Sequence, residues 1–227
     1  EAGRLAIDQD GGMPPYFRLH AALMAEHLGL TAEAEQRVTG LEGTLRGAHL
    51  MLQLAAFHAR RGNWQAVDSI IDTRLSGQFN RRLVRAALQR QADTTPDPHR
   101  VIANAVVAMA LDERDNETGQ SISARLRFSL FIDPDNEFTR LLMAQQMADF
   151  GQSDAAVANL ARIPSDGVYG QLARLTEASV IEEQGDAERA IDTMQRVVEM
   201  DPENAALHQR LGDIHRRNQQ FRQSRDA

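Results

Sequence analysis

The chain is predicted to be all-α, a right-handed α-solenoid of stacked helix–turn–helix units, and three observations predict it. The first is a 34-residue echo: Gly151 and Gly185 are one period apart, as are Ala156 and Ala190, and Ala110, Ala144, Ala178 and Gly212 form a ladder at the same step. A fixed period of this length marks units that each bury their apolar face against their neighbours. The second is composition. Apolar residues make up 42% of the 227 positions but aromatics only 5%, with Ala, Leu, Arg, Glu and Gln abundant, a bias toward helix and away from strand. The third is that no stretch alternates with period two for long enough to form a strand.

With Pro202 set as position 32 of a unit, units begin at residues 103, 137, 171 and 205. In the unit 171–204, amphipathic patterns flank Gly185, and the second ends at Asp201-Pro202, where proline opposes continuation of the helix. Ala178 and Ala190 let the two helices approach closely, and Gly185 supplies the turn between them. The unit 137–170 repeats this with Ala144, Gly151, Ala156 and Leu160, but Ile163-Pro164 ends its second helix early, and Ser165-Asp166-Gly167 reads as a loop. The unit 103–136 keeps Ala110, Leu126 and an Asp133-Pro134 exit, with Glu117 and Ile122 at the usual Gly and Ala positions. The last unit, 205–227, is truncated and carries Phe221 at position 17.

Upstream the period loosens. Residues 1–14 read as a lead-in, and 15–79 as two divergent hairpins turning at Gly29 and Gly62. In these, Ala22 and Ala55 fall at position 8, Ala34 and Val67 at position 20, Val38 and Ile71 at position 24, and Trp64 at position 17. An irregular segment follows over 80–102. It contains an extra helix at roughly 80–91, a loop through Pro96, and Asp97-Pro98 as cap and first turn of the next helix. This segment is expected to bend the array or divide it.

The bulk numbers exclude several chemistries. All 25 basic residues are Arg, so neither a Schiff-base lysine nor a phosphate-loop lysine can operate here. We read the Arg-only usage as the codon bias of a GC-rich bacterial genome. The chain has no Cys, which removes disulfides, thiol nucleophiles and sulfur-ligated zinc. It leaves cytoplasm and periplasm both open. A net charge of −7 argues against non-specific attraction to nucleic acid or anionic lipid. No apolar run approaches the ~20 residues that span a bilayer, so membrane insertion is not expected. The chain begins at Glu1 and stops at Ala227 within a helical pattern, and we read it as a region of a longer protein.

No constellation points to catalysis, a metal or a cofactor. His20 and His27 are seven residues apart, as are His208 and His215, or ~10 Å along a helix. Paired zinc ligands on one helix sit four apart, so these four are read as surface or groove histidines. The run Asp112-Glu113-Arg114-Asp115-Asn116-Glu117 lacks the central Gly and alternating oxygens of a calcium loop and reads as a solvated turn. Glu182 and Glu183 are adjacent on a helix and point in different directions. The clusters Arg81, Arg82, Arg85, Arg90 and Arg216, Arg217, Arg222, Arg225 lack the interleaved aromatics that stack on bases. They read as a solvated face or a contact for an acidic peptide. Leu126, Leu160 and Met194, all at position 24, read as inter-helix core.

These residues resemble the tetratricopeptide repeat family, a 34-residue helix–turn–helix. The match is strongest over 137–204 and looser over 103–136 and 205–227. No copy carries the large aromatic at position 4 or the Tyr at position 11, and in the last unit His208 and His215 stand there. The resemblance implies that the first helix of each unit lines a concave groove through positions 2, 5, 9, 12 and 13. Those positions hold Phe138, Leu141, Gln145, Ala148 and Asp149 in one unit, and Leu172, Leu175, Ser179, Glu182 and Glu183 in the next. In the last they hold Ala206, Gln209, Asp213, Arg216 and Arg217. Phe138, Leu141, Leu172 and Leu175 are the expected apolar floor, with Glu182 and Arg216 offering charge of both signs. The lysine–asparagine clamp that chaperone-binding members use for a C-terminal carboxylate is not expected, because Leu141, Gln145, Leu175 and Ser179 occupy the relevant positions.

The function these readings imply is a non-catalytic scaffold that binds a peptide or protein in the groove. Three alternatives stand beside it. The segment is a substrate-recruiting or regulatory arm of an enzyme whose catalytic domain lies outside it. It is a self-assembly module that forms homo-oligomers. Or a neighbouring segment of its own protein fills the groove.

Overall fold

The computed structural model describes residues 13–112 and 119–217, and among these there are twelve α-helices and no strand. In chain order they are α1 (Pro15–His27), α2 (Thr31–Val38), α3 (Ala48–Arg60), α4 (Trp64–Ile70), α5 (Arg81–Gln91) and α6 (Pro98–Asp112). Then come α7 (Gly119–Ile132), α8 (Glu137–Asp149), α9 (Ser153–Ala161), α10 (Gly170–Glu183), α11 (Ala187–Met200) and α12 (Ala205–Arg217). A 3₁₀ turn at Leu41–Gly43 and a π-helical turn at Ile71–Leu75 complete the helical segments. The residues 1–12, 113–118 and 218–227 lie outside this description, and with them Glu113 to Glu117, Phe221, Arg222 and Arg225.

Local chemistry sets the helix ends. Asn63, Asn80, Asn136 and Asp186 stand at N-caps, where each side chain accepts from the backbone N–H three residues on, at 3.0–3.2 Å. This satisfies one of the donors that a helix start leaves unpaired. Gly185 closes α10 with φ of +82°. Its N–H donates to the Glu182 carbonyl and that of Asp186 to the Ile181 carbonyl, the paired bonds of a Schellman motif. Pro164 stops α9 early, and Arg174 on α10 reaches back to donate to the carbonyls of Leu160 and Ile163 that the break exposes. Pro98 opens α6, so this helix starts five residues before the unit boundary at 103.

Consecutive helices pack as pairs: α1 with α2, α3 with α4, α6 with α7, α8 with α9 and α10 with α11. The next joins are α7 on α8, α9 on α10, and α11 on α12. The periodic small residues lie inside: Ala22, Ala55, Ala110, Ala144 and Ala178 are all fully buried, as are Ala34, Ala156 and Ala190. Leu126, Leu160 and Met194 are buried too. Ala178, Ala190 and Met194 share one apolar cluster, while Ala144, Ala156 and Leu160 belong to the main core.

Other contacts are not consecutive. The segment after α4 turns the chain so that α6 packs on α1 and α5 on α3. The main apolar core therefore runs from Tyr16 and Leu19 through α3 to Leu141, Tyr169 and Val180. An aromatic stack marks the junction. The ring of His49 lies on Phe138 (centroids 4.5 Å), Phe138 on Tyr169 (5.5 Å), and Phe79 meets Tyr169 edge-on (6.1 Å). Glu26 on α1 holds Arg60 of α3 through two bonds of 3.1 and 2.7 Å and also pairs with Arg61. A buried polar chain ties α6, α7 and α8: the Ser129 hydroxyl lies 3.1 Å from the Ala103 carbonyl and 2.8 Å from the Thr139 hydroxyl, which lies 2.9 Å from the Asn136 side-chain oxygen.

Candidate functional site

The groove positions divide into two groups. Leu141 is buried in the core, and Phe138 is half-buried between His49 and Tyr169. The chain's own α3 covers this end, so neither residue belongs to an open surface. Gln145, farther along α8, is exposed. The second group stays accessible. Leu172, Leu175, Thr176 and Ser179 on α10 face Ala206, Leu207, Gln209, Arg210 and Asp213 on α12 across an open groove of about 600 Å³. Leu172 also borders a smaller space of about 120 Å³ against Phe79, Leu83 and Val84, beside α5.

The groove has an apolar floor and a polar end. Leu172 and Leu175 are half-buried and lie one helical turn apart on α10. Ser179 donates its hydroxyl to the Leu175 carbonyl (2.8 Å) and accepts from Arg210 across the groove (2.7 Å). Beyond it, Glu182 pairs with Arg217 at 2.6 Å, and Asp213 with Arg216 at 2.6 Å. Leu172, Leu175, Ser179 and Gln209 therefore line this groove as expected, while Glu182 and Arg216 only pair with Arg217 and Asp213 of its lining. Arg210 was missed by the sequence reading because it stands at position 6, outside the groove positions that the family resemblance implied.

A second space of about 140 Å³ lies at the junction of α1, α3, α5, α6 and α8. Its polar lining is mostly committed internally: Arg100 pairs with Asp133 at 3.0 Å, Asn136 donates to Asn104 at 2.9 Å, and Arg60 is held by Glu26. Burial pushes the Glu137 carboxyl above its ordinary range, against the opposing pull of the Tyr169 backbone N–H. This space is a seam between the two ends of the core.

The reading of the histidines as surface or groove residues needs correction. His20 and His215 are buried, and His49 joins them in the core. Burial lowers His20 to about 4 although its Nδ1 donates to the Tyr16 carbonyl at 2.6 Å, and burial with the nearby His20 lowers His49 to about 4. Of the α5 arginines, Arg81, Arg82 and Arg90 are exposed, as a solvated face requires, and Arg85 is half-buried, but each also has a partner within the chain. Arg81 pairs with Asp72, Arg85 with Asp68 while stacking over Trp64, Arg82 donates to the Met200 carbonyl, and Arg90 to that of Asp166. Each is an intramolecular clamp, and the last two tie α5 to the ends of α11 and the α9–α10 loop. Spacing could not reveal this, because the acceptors lie 118 and 76 residues away.

Among the described residues no three His, Asp or Glu side chains converge as a metal site, and no helix is long and apolar enough to cross a membrane. Comparison of the chain with protein-family models gives no match, and comparison with curated proteins gives none.

Proposed function

We propose that the chain is a non-catalytic interaction scaffold, a right-handed α-solenoid of tetratricopeptide-like hairpins that binds a peptide or protein in the groove between α10 and α12. The observation that carries this reading is the groove itself: two leucines left half-exposed on α10, facing α12 across an open space of about 600 Å³. Helices of a folded chain normally bury such a stripe, and an apolar surface rimmed by polar groups marks a place where something else binds. Grooves between helices take extended or helical segments. The repeated burial of Ala110, Ala144 and Ala178 at one 34-residue step supports the repeat architecture. On this reading the hairpins present the surface and the partner supplies any chemistry.

Selection from a displayed random-peptide library tests it. Peptides enriched on the wild-type chain are expected to lose binding to the Leu172→Asp, Leu175→Asp double variant while its helical circular dichroism is retained. No enrichment, or undiminished binding to the double variant, refutes the groove.

A further inference from the structure

We infer that the groove's ligand is a peptide carrying an internal Asp or Glu beside apolar residues, its carboxylate received by Arg210. The inference rests on the groove reading and names the chemistry of its partner.

The argument is one of charge. Two arginines line the groove, and Arg217 is already neutralised by Glu182. Arg210 is different. Among the described residues its one hydrogen bond goes to the Ser179 hydroxyl and no carboxylate lies within ion-pair distance, Asp213 in the same groove being paired with Arg216. Its Nε is buried without an acceptor. A guanidinium carries five N–H donors, so most of this one's capacity is unspent. A cation taken partly out of water without a counter-charge is costly, and it binds a carboxylate more strongly than a solvated one does.

The surroundings narrow the choice. Leu172 and Leu175 lie on the facing helix, in the same groove, so the acid must stand beside side chains that can cover them. A phosphate backbone has nothing to place on two leucines, and among the described residues no aromatic ring lines the groove for a base to stack on, as single-stranded nucleic acid requires. An internal acid within an amphipathic peptide satisfies both halves of the site.

The test uses peptides enriched in the library selection, resynthesised with acetylated and amidated ends and measured by fluorescence anisotropy. The enriched pool is expected to share an Asp or Glu next to apolar residues. Changing that acid to its amide should weaken binding about tenfold or more, the usual scale for a charge-assisted bond. Arg210→Gln should lose the same factor, and combining the two changes should cost little further. Arg210→Lys should recover part of the affinity, and circular dichroism should show each variant folded. Several results overturn the inference while leaving the groove standing: Leu172-sensitive peptides that carry no acid, unchanged affinity in Arg210→Gln, or dependence on a free terminal carboxylate. So does an oligothymidylate probe that displaces the peptide through Arg210. If no peptide depends on Leu172 and Leu175, the groove reading fails and this inference with it.

Discussion

The imidazole of His49 lies flat on the ring of Phe138, with centroids 4.5 Å apart and planes within 7° of parallel. His49 is on α3 and Phe138 on α8, so this contact fastens the N-terminal hairpins to the later ones. Removing a packed aromatic ring leaves a void the backbone cannot close. Phe138→Ala is expected to lower stability by about 3 kcal/mol, read as the midpoint of urea unfolding. A change within the error of the fit would mean that the two ends do not share a core.

Stability should fall on acidification before most carboxylates titrate. His20 and His49 have pKa values lowered from 6.5 to about 4 by burial, so between those limits the unfolded chain binds more protons than the folded one. Folding stability then rises with pH through this window and is lost as pH falls from about 6.5 toward 4. Each buried ring accounts for a loss of order 3 kcal/mol at the acid end. Urea midpoints at pH 7 and 4.5 should differ less in His20→Gln, His49→Gln than in the wild-type chain. Equal differences would place the sensitivity elsewhere.

Ala178 has no exposed surface and shares a cluster with Ala190 and Met194. Ala178→Phe is expected to overpack that hairpin by about 1–3 kcal/mol. Thermal unfolding followed by circular dichroism should show a lower midpoint, by roughly 3 °C or more for a chain of this size. An unchanged midpoint would remove position 8 from the hairpin seam.

Two glycines should respond differently to Ala. At Gly185 a Cβ would meet nothing within 4 Å, and the cost is that of a left-handed backbone, about 1 kcal/mol. At Gly170 the same atom would strike the Ser165 carbonyl and lie 2.7 Å from that of Pro164, so Gly170→Ala should lose about 3 kcal/mol. Unfolding midpoints of the two variants rank them, and the reverse order would contradict the packing of the α9–α10 loop.

The periodic part of the fold was readable because its cause is local. Each hairpin needs small residues where its helices cross and a glycine where they turn, so Ala144, Ala178, Gly151 and Gly185 announce themselves by spacing. The Asn80 cap and Pro98 are equally local signals. What spacing could not show is the return of α6 onto α1 and the packing of His49 of α3 and of Tyr169 on Phe138. The second of these takes Phe138 out of the expected groove.

Burial of His20 and His49 was hidden for the same reason. A histidine on an apolar helix face looks identical in sequence whether a distant helix covers it or not. Arg210 escaped because the resemblance supplied groove positions and Arg210 is outside them. Spacing gave no signal either, because Asp213 stands three residues after Arg210 yet pairs with Arg216 instead.

The most direct measurement is a titration of leucine-methyl-labelled protein with a library-selected peptide, followed by nuclear magnetic resonance. The account predicts shift changes at the methyls of Leu172, Leu175 and Leu207, which line the groove, and none at Leu126 or Leu160, which are sealed in the core. Shifts confined to Leu28 and Leu30, which are exposed at the α1–α2 turn, would contradict it.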